Sequence, residues 1–446
     1  MTDDFAAELA RVEKALEARG PGRMVPDLER ITALLDLLGN PQRSYPSVHL
    51  TGTNGKTSTA RMIDALLRAF GLRVGRYTSP HLESVTERIG VDGEPLSPES
   101  FVAAYDDVAP YAEMLDARSA QPLTYFELTT AMAFAAFAEM PVDAAVVEVG
   151  LGGAWDATNV LGAPVAVVMP IDLDHVGLLG DTVAAIATEK AGIIHSGATL
   201  IAAVQQPEAA EPLIRRAAEV GAAVAREGLE FGVISREVAV GGQMLTLQSL
   251  GGVYEEVFLP LHGAHQAQNA AVALAAVEAF LGAGPDRPVD IEAVREGFAQ
   301  VTSPGRLERM RSSPTVLLDA AHNPAGMRAL AEALTEDFSF GRLVAVLAVL
   351  DDKDARTMLE ILEPVVDAVV VTRNSSPRSM DPDVLGALAV EVLGPDRVDV
   401  APRFDDAIEA AVQLAEEAAE GPLGGEGVIV TGSVVTAADA RRLLRR

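Results

Sequence analysis

TGTNGKTS, residues 51–58, follows the apolar run SVHL (47–50) and opens the helical pattern TSTARMIDALLRAF (57–70). A strand, a glycine-bearing turn, a lysine, hydroxyls and a helix, in that order, are the setting a phosphate loop needs. Gly52 and Gly55 let the backbone turn sharply and approach an anion closely. The N–H groups of Thr53, Asn54 and the following helix start then present partial positive charge. Lys56 adds a full charge for the β- and γ-phosphates, and Thr57 or Ser58 offers a hydroxyl to phosphate or Mg²⁺. The spacing departs from G-x-x-x-x-G-K-[ST], because Leu50 stands where the first glycine would be. The plain alternative is an ordinary glycine turn. A phosphate loop alone does not say what the phosphate is used for.

Outward from this turn, short β-rich runs alternate with longer helical segments. RVGRYTS (73–79), DAAVVEVG (143–150), VAVVMP (165–170) and TLIAAV (199–204) read as strands. Helices between strands imply a mostly parallel sheet covered on both faces. From about 229 to 260 the texture changes to short alternating runs with Gly-Gly turns at 241–242 and 251–252, which read as small antiparallel hairpins. Helical patterns follow at 265–282 and about 290–299. TSPGR (302–306) has the breaker chemistry of a linker. Beyond it the alternation restarts with TVLLDAAHNP (315–324), LVAVLAVL (343–350), DAVVVTR (367–373), RVDV (397–400) and GVIVTGS (427–433). The expected α/β architecture is an N-terminal P-loop ATPase-like domain over 1–302 and a smaller Rossmann-like domain over 303–446.

The 446 residues fit two or three domains. With 49% hydrophobic and 22% charged residues, the composition is globular. The net charge of −29 argues against a surface that grips nucleic acid or anionic lipid, though a small anion needs only a local basic pocket. The chain has no cysteine, which removes disulfides, thiolate metal sites and a cysteine nucleophile. The acidic, amphipathic start MTDDFAAELARVEKALEARG lacks the pattern of a signal peptide, and no apolar run is long enough to span a bilayer. A cytoplasmic monomer is expected.

Glu148 ends an apolar strand, where a carboxylate beside a phosphate loop is well placed for Mg²⁺. Lys190, in TEKAGIIHSG, borders an apolar run; partial burial would lower its pKa and free a neutral amine. A lysine on a helix surface is the plain alternative. His175 sits between acidic residues and glycines, in DLDHVGLLG. Phe126 and the single tryptophan, Trp155, could stack on a flat heterocycle, and Asp156 could hydrogen-bond its ring nitrogens, but core packing remains open for Trp155.

TGTNGKTS is similar to the loop of the ATP-dependent amide ligases of the Mur ligase superfamily. YTSPHL (77–82), TYFE (124–127), VEVGLGGAWDATN (147–159), DHVGLLG (174–180), EKAGII (189–194), HQAQNA (265–270), SPGRLE (303–308) and DAAHNP (319–324) resemble its folylpolyglutamate synthase/dihydrofolate synthase branch. The last domain matches more loosely, through DDKD (351–354) and TGS (431–433). Cell-wall Mur ligases carry a UDP-sugar domain of roughly a hundred residues before the loop, and the fifty residues here leave no room for one.

The resemblance implies a ligase that uses ATP and Mg²⁺ to activate a folate or dihydropteroate carboxylate as an acyl phosphate, which the amine of L-glutamate then displaces. It implies that residues 53–58, Asn269, Arg306 and Asp319 serve the nucleotide. Ser79 and Glu148 would hold one Mg²⁺ and His175 would belong to a second, organised by a carbamylated Lys190. Lys56, Lys190 and His322 would be catalytic, with His322 meeting glutamate or the acyl phosphate. Thr124, Phe126, Trp155 and Asp156 would line the pterin pocket. Arg306, at the linker, would let domain closure gate the chemistry. In DAAHNP, Asn-Pro also reads as a helix start. One departure is Ala154, where many relatives carry Arg. Two other readings stay open: ligation to a different carboxylate acceptor, and a binding module that uses ATP as a switch.

Overall fold

The computed structural model describes residues 2–20, 26–417 and 425–445. Two units divide the chain. The first gathers Met1–Glu237, Met244–Pro260 and Ala267–Val301; the second gathers Thr302–Arg446 with Val238–Gln243 and Leu261–Gln266.

The strands of the first unit are β1 (Ser47–Thr51), β2 (Val74–Tyr77), β3 (Ile89–Val91), β4 (Glu94–Pro95), β5 (Ala144–Glu148), β6 (Val165–Val168), β7 (Thr199–Ala202) and β8 (Ala223–Arg226). They form one sheet in the order β4-β3-β2-β5-β1-β6-β7-β8. From β2 to β8 the pairs are parallel, and β3 and β4 add an antiparallel edge. Every residue of β1, β2, β5 and β6 is buried, as central strands covered on both faces require. One large core cluster runs from Leu16 and Leu34 through Phe101, Phe134 and Phe137 to Val147. A second gathers Val168, Ile186, Leu200 and Leu213.

β1 lies between β5 and β6, so the chain leaves its C-terminal end with a strand neighbour on either side. In open parallel sheets this crevice is where ligands bind. Strands β9 (Gly232–Ala239), β10 (Gly242–Ser249) and β11 (Gly252–Leu259) form a separate sheet. Their two-residue links permit only antiparallel pairing. These are the hairpins the Gly-Gly turns called for.

The second unit carries β12 (Glu308–Ser312), β13 (Thr315–Leu318), β14 (Phe340–Leu347), β15 (Ala368–Val371), β16 (Val398–Val400) and β17 (Gly425–Thr431), in the order β12-β13-β17-β14-β15-β16. Only the β12–β13 pair is antiparallel. The sequence reading missed β3, β4, β8 and β12. All lie in edge positions or beside one, where partial exposure dilutes the apolar signal.

Asp64 sits on the Lys56–Ala69 helix and is fully buried. Its carboxylate pairs with Arg76 of β2, which is equally enclosed, and accepts from Arg68 Nε at 3.1 Å. The pair locks the helix that opens at the phosphate loop onto the sheet. Replacing Asp64 by Ala leaves Arg76 buried without this carboxylate, which costs about 3–5 kcal/mol. The expected result is a lower urea midpoint with an unchanged slope.

Candidate active site

The turn after β1 cannot hold other residues at its two glycines. Gly52 has φ +146, and a Cβ there would lie 2.5 Å from Met169 Cβ. Gly55 has φ +86, and its Cβ would lie 2.7 Å from Asn269 Oδ1. The turn is tied to both neighbouring strands. Thr51 donates its hydroxyl to Gly152 O at 2.8 Å, beyond β5. Beyond β6, Thr53 N–H donates to Pro170 O at 3.0 Å, while its hydroxyl donates to Asp172 O and accepts from Asp172 N–H, each at 3.0 Å. Asn54 lies at the tip, and Ser58 is buried in the first turn of the helix.

Two lysine side chains meet at one carbonyl. Lys56 Nζ donates to Gly52 O at 2.9 Å and to Thr53 O at 3.1 Å. Lys190 Nζ, at the end of the helix Val183–Lys190, donates to the same Gly52 O at 3.0 Å. Lys190 is only 5% exposed. Burial first, and then the charge of Lys56, lowers its pKa from the usual 10.5 to about 7. The sequence reading had only partial burial to go on; the side chain is enclosed.

Glu148, the last residue of β5, is 1% exposed. Thr57 Oγ1 donates within 3.0 Å of both its oxygens, and Ser79 N–H lies 3.4 Å from one of them. Half-buried Arg61 also feels this carboxylate, although desolvation lowers its own pKa to about 10. Glu148 and the Thr57 hydroxyl are hard oxygen donors, the kind Mg²⁺ takes with water and phosphate completing its shell, and the Ser79 backbone lies beside them. His175 lies in the loop after β6, at the start of a short helix. Its side chain is 44% exposed, its φ is +51, and Nε2 lies 3.9 Å from Asp174 Oδ1. Among the described residues, no three His, Asp or Glu side chains gather as a metal cluster.

Of the residues expected at the pterin pocket, Phe126 packs just beyond the end of β5. Its ring lies against Gly150, where a Cβ would be 2.4 Å from Phe126 Cζ, and 5.9 Å from the ring of Tyr77. Trp155 packs instead on the cluster of Leu179 and Ile186, so the two aromatics serve different cores. Thr124 caps the helix Tyr125–Glu139 and accepts from Glu127 N–H at 3.2 Å. Asp156 is buried, with its carboxylate on Leu151 N–H and Thr158 N–H, both at 2.9 Å; burial pushes its pKa up. It holds the GGAWDATN loop in shape.

The second unit presents its own group. Asp319, just beyond β13, accepts from Leu307 N–H at 2.9 Å and Ala321 N–H at 2.8 Å. Burial raises its pKa, against the nearby charge of Arg306. Arg306 donates from Nη1 to Gly305 O at 3.2 Å. His322 Nδ1 lies 3.0 Å from Ala320 O; a carbonyl only accepts, so this nitrogen carries the proton. Asn323 caps the helix Pro324–Glu336 on Gly326 N–H, with Pro324 in its first turn, as Asn-Pro implied.

Sequence reasoning missed several contributors. Met169 buttresses Gly52, and nothing in VAVVMP marks it. His49, inside the apolar β1, is fully buried, with Nε2 2.8 Å from Thr158 Oγ1; burial holds its pKa down to about 3. A lone histidine in phase with a strand gives no such signal.

Two family models match this chain: the Mur ligase middle domain over residues 50–277, and the Mur ligase glutamate ligase domain over 305–434. The architecture is that of a Mur ligase. The chain is 55% identical over 465 residues to the dihydrofolate synthase/folylpolyglutamate synthase of Mycobacterium tuberculosis, covering 100% of this chain and 96% of the relative. The Bacillus subtilis protein of the same name is 35% identical, over 94% of this chain and 95% of its own. The structure of the Mycobacterium tuberculosis folylpolyglutamate synthase complexed with ADP superposes with a TM-score of 0.95 at 55% identity, covering 99% of both chains. A folylpolyglutamate synthase complex with AMPPCP and folate gives 0.85 at 31%, again over 99% of both. This chain belongs to the dihydrofolate synthase/folylpolyglutamate synthase family.

Lys190 gives the free protein a pH signature. Between about pH 7 and 10.5 the unfolded chain holds a proton on this amine that the folded chain has released. Stability therefore rises with pH through that window, because the unfolded state binds more protons. In Lys190→Met this contribution should vanish, which urea titrations at pH 7 and pH 9 on both proteins will read.

Proposed function

We propose that this chain is an ATP-dependent acid–amino-acid ligase that adds L-glutamate to folates and also to dihydropteroate. The observation that carries the reading is the convergence of Lys56 and Lys190 on Gly52 O beside the buried carboxylate of Glu148. Fixed cations at a phosphate loop suit a site built to stabilise charge moving between phosphate oxygens. The likeness to relatives solved with ADP, AMPPCP and folate supports ATP and a folate as the ligands.

In the first step a carboxylate oxygen of the pterin substrate attacks the γ-phosphorus, the bond to the β-phosphate oxygen breaks, and ADP leaves. In the second, the glutamate amine attacks the acyl carbon, the carbon–oxygen bond to phosphate breaks, and the amine loses a proton. Lys56 and the N–H groups of residues 53–58 hold the phosphates. Asn269, packed on Gly55, keeps the turn closed on the nucleotide side. Thr57, Ser79 and Glu148 would hold one Mg²⁺, whose chemistry is to neutralise phosphate charge. Phe126, in the helix Tyr125–Glu139 and packed on Gly150 just beyond β5, lines the way for the pterin ring. Thr124, Trp155 and Asp156 shape that pocket more than they touch the ring. From the second unit, Arg306 and Asp319 serve the nucleotide and His322 the glutamate or acyl phosphate. We assign the ATP-binding domain to 1–302 and the C-terminal domain to 303–446. No helix among the described residues is long and apolar enough to cross a membrane, in keeping with a cytoplasmic enzyme, which we take to act as a monomer.

A pKa near 7 leaves Lys190 largely able to act as a neutral amine. Its nitrogen can add to CO₂ and shed a proton, forming a carbamate. A cation crowding Lys56 then becomes an anion facing it, ready with His175 to organise a second Mg²⁺.

Phosphate release measured with dihydropteroate and with tetrahydrofolate should require L-glutamate in both cases. Release at the same rate with ATP alone would overturn the ligase reading, and a response only to another carboxylate would move the acceptor. Lys190→Ala should lower turnover by about a hundredfold or more, with partial rescue by small carboxylates such as acetate. Full activity in that variant removes the carbamate.

A further inference from the structure

A cleft of about 620 Å³ lies in the first unit, lined by Ala154, Asn159, Gly192, His195, Arg215 and Arg216, with Glu219 also on its wall. None of these residues belongs to the constellation described above. In a chain of net charge −29 the cleft reverses the local sign: two guanidiniums and an imidazole face one carboxylate.

The basic groups are held in place. Arg216, on the helix Pro207–Val220, donates from Nε to Ile194 O at 3.2 Å. Among the described residues its Nη groups make no further hydrogen bond or ion pair. That anchors the plane of the fork and leaves its two-pronged edge available. Arg215 makes only a loose, exposed pair with Glu211, at 3.7 Å. Asn159 donates from Nδ2 to Ala154 O at 3.0 Å and Gly192 O at 3.2 Å. Its Oδ1 is therefore an acceptor, so His195 Nε2, 2.9 Å away, carries a proton and the ring is oriented. Burial and the charge of Arg216 hold the His195 pKa below its ordinary value.

We propose that this cleft binds a small oxyanion, a phosphate or a carboxylate group, gripped by the Arg216 fork beside His195 and assisted by Arg215. A planar fork fixed at one nitrogen suits bidentate capture of two oxygens. An arriving anion compensates the guanidinium charge that disfavours protonated His195, so the ring takes up positive charge on binding. The floor of the cleft is the backbone that seats Lys190. Ala154 N–H donates to Glu189 O at 3.0 Å, and a Cβ on Gly153 would lie 2.9 Å from Lys190 Cα. An occupant thus rests against the segment carrying that lysine. The inference does not depend on the ligase reading, since binding requires no turnover.

The test uses the full chain, labelled with ¹⁵N-histidine and saturated with Mg-ADP so that the phosphate loop is filled. The His195 ring signal is assigned through His195→Gln. Inorganic phosphate and L-glutamate are titrated separately at constant ionic strength. The expected result is a saturable shift of the His195 signal with one or both anions in the millimolar range. A response to phosphate alone supports the site with phosphate as the source, and a response to glutamate alone supports it with the carboxylate. Arg216→Gln should weaken the response by about tenfold or more, while the other histidine signals report that the variant is folded. Arg216→Lys, which keeps charge but loses the fork, should fall between the two and serves if the glutamine variant does not fold. No shift with either anion, or an equal shift in the Arg216 variants, overturns the proposal.

Discussion

The carbonyl oxygen of Gly52 accepts from two lysine side chains, Lys56 at 2.9 Å and Lys190 at 3.0 Å. Two full charges about 4 Å apart at an effective dielectric near 20 repel by about 4 kcal/mol. The protein relieves that repulsion by burying Lys190 until it sheds its proton near neutral pH. An incoming polyphosphate relieves it in another way, by supplying counter-charge. The site is thus poised between a neutral amine and an anion, and the rest of the first unit keeps those two lysines from drifting apart. Burial is the larger cause of that lost charge, and the charge of Lys56 the second.

That positioning comes from topology. β1 ends between β5 and β6, and the turn it feeds is fastened to segments beyond each of them by Thr51 and Thr53. The close approach is possible only because Gly52 and Gly55 have no Cβ to collide with Met169 and Asn269. The same crossing of strands delivers Glu148 and Ser79 from β5 and beyond β2, and Phe126 against Gly150. Asp64 and Arg76 fix the helix that carries Thr57 to the strand that leads to Ser79. Stability and chemistry therefore share residues, and a loose helix would misplace a hydroxyl as surely as a wrong side chain.

What could be read from sequence was what local pattern records. TGTNGKTS fixed the strand–turn–helix, and apolar runs located β1, β2, β5, β6 and β7, because strands buried on both faces need continuous apolar residues. Glu148 was legible as a carboxylate ending such a run, and Asn323-Pro324 as a helix start. What was not legible depends on contacts between distant segments. Two features were local and went unread: Asp156 spends its carboxylate on Leu151 and Thr158, and Thr124 caps its helix with Glu127 in a T-x-x-E capping box. Phe126 and Trp155 look like one stacking pair in sequence, yet they pack on separate clusters. The edge strands β4 and β12 are partly or wholly exposed, so periodicity gives them little signal.

Ala154 joins these threads. In sequence, Ala154 left open whether its loop makes phosphate-side or substrate-side contacts. In the structure its backbone donates to Glu189 O, and a Cβ on Gly192 would lie 2.4 Å from its Cα, so the loop and the turn after Lys190 are in van der Waals contact. Asn159 then bridges the two backbones. Such a junction tolerates no side chain at Gly192, and the small methyl at 154 leaves the adjoining cleft open to Arg215 and Arg216. The methyl at 154 thus borders the basic cleft behind Lys190, and its backbone N–H helps seat that lysine's segment.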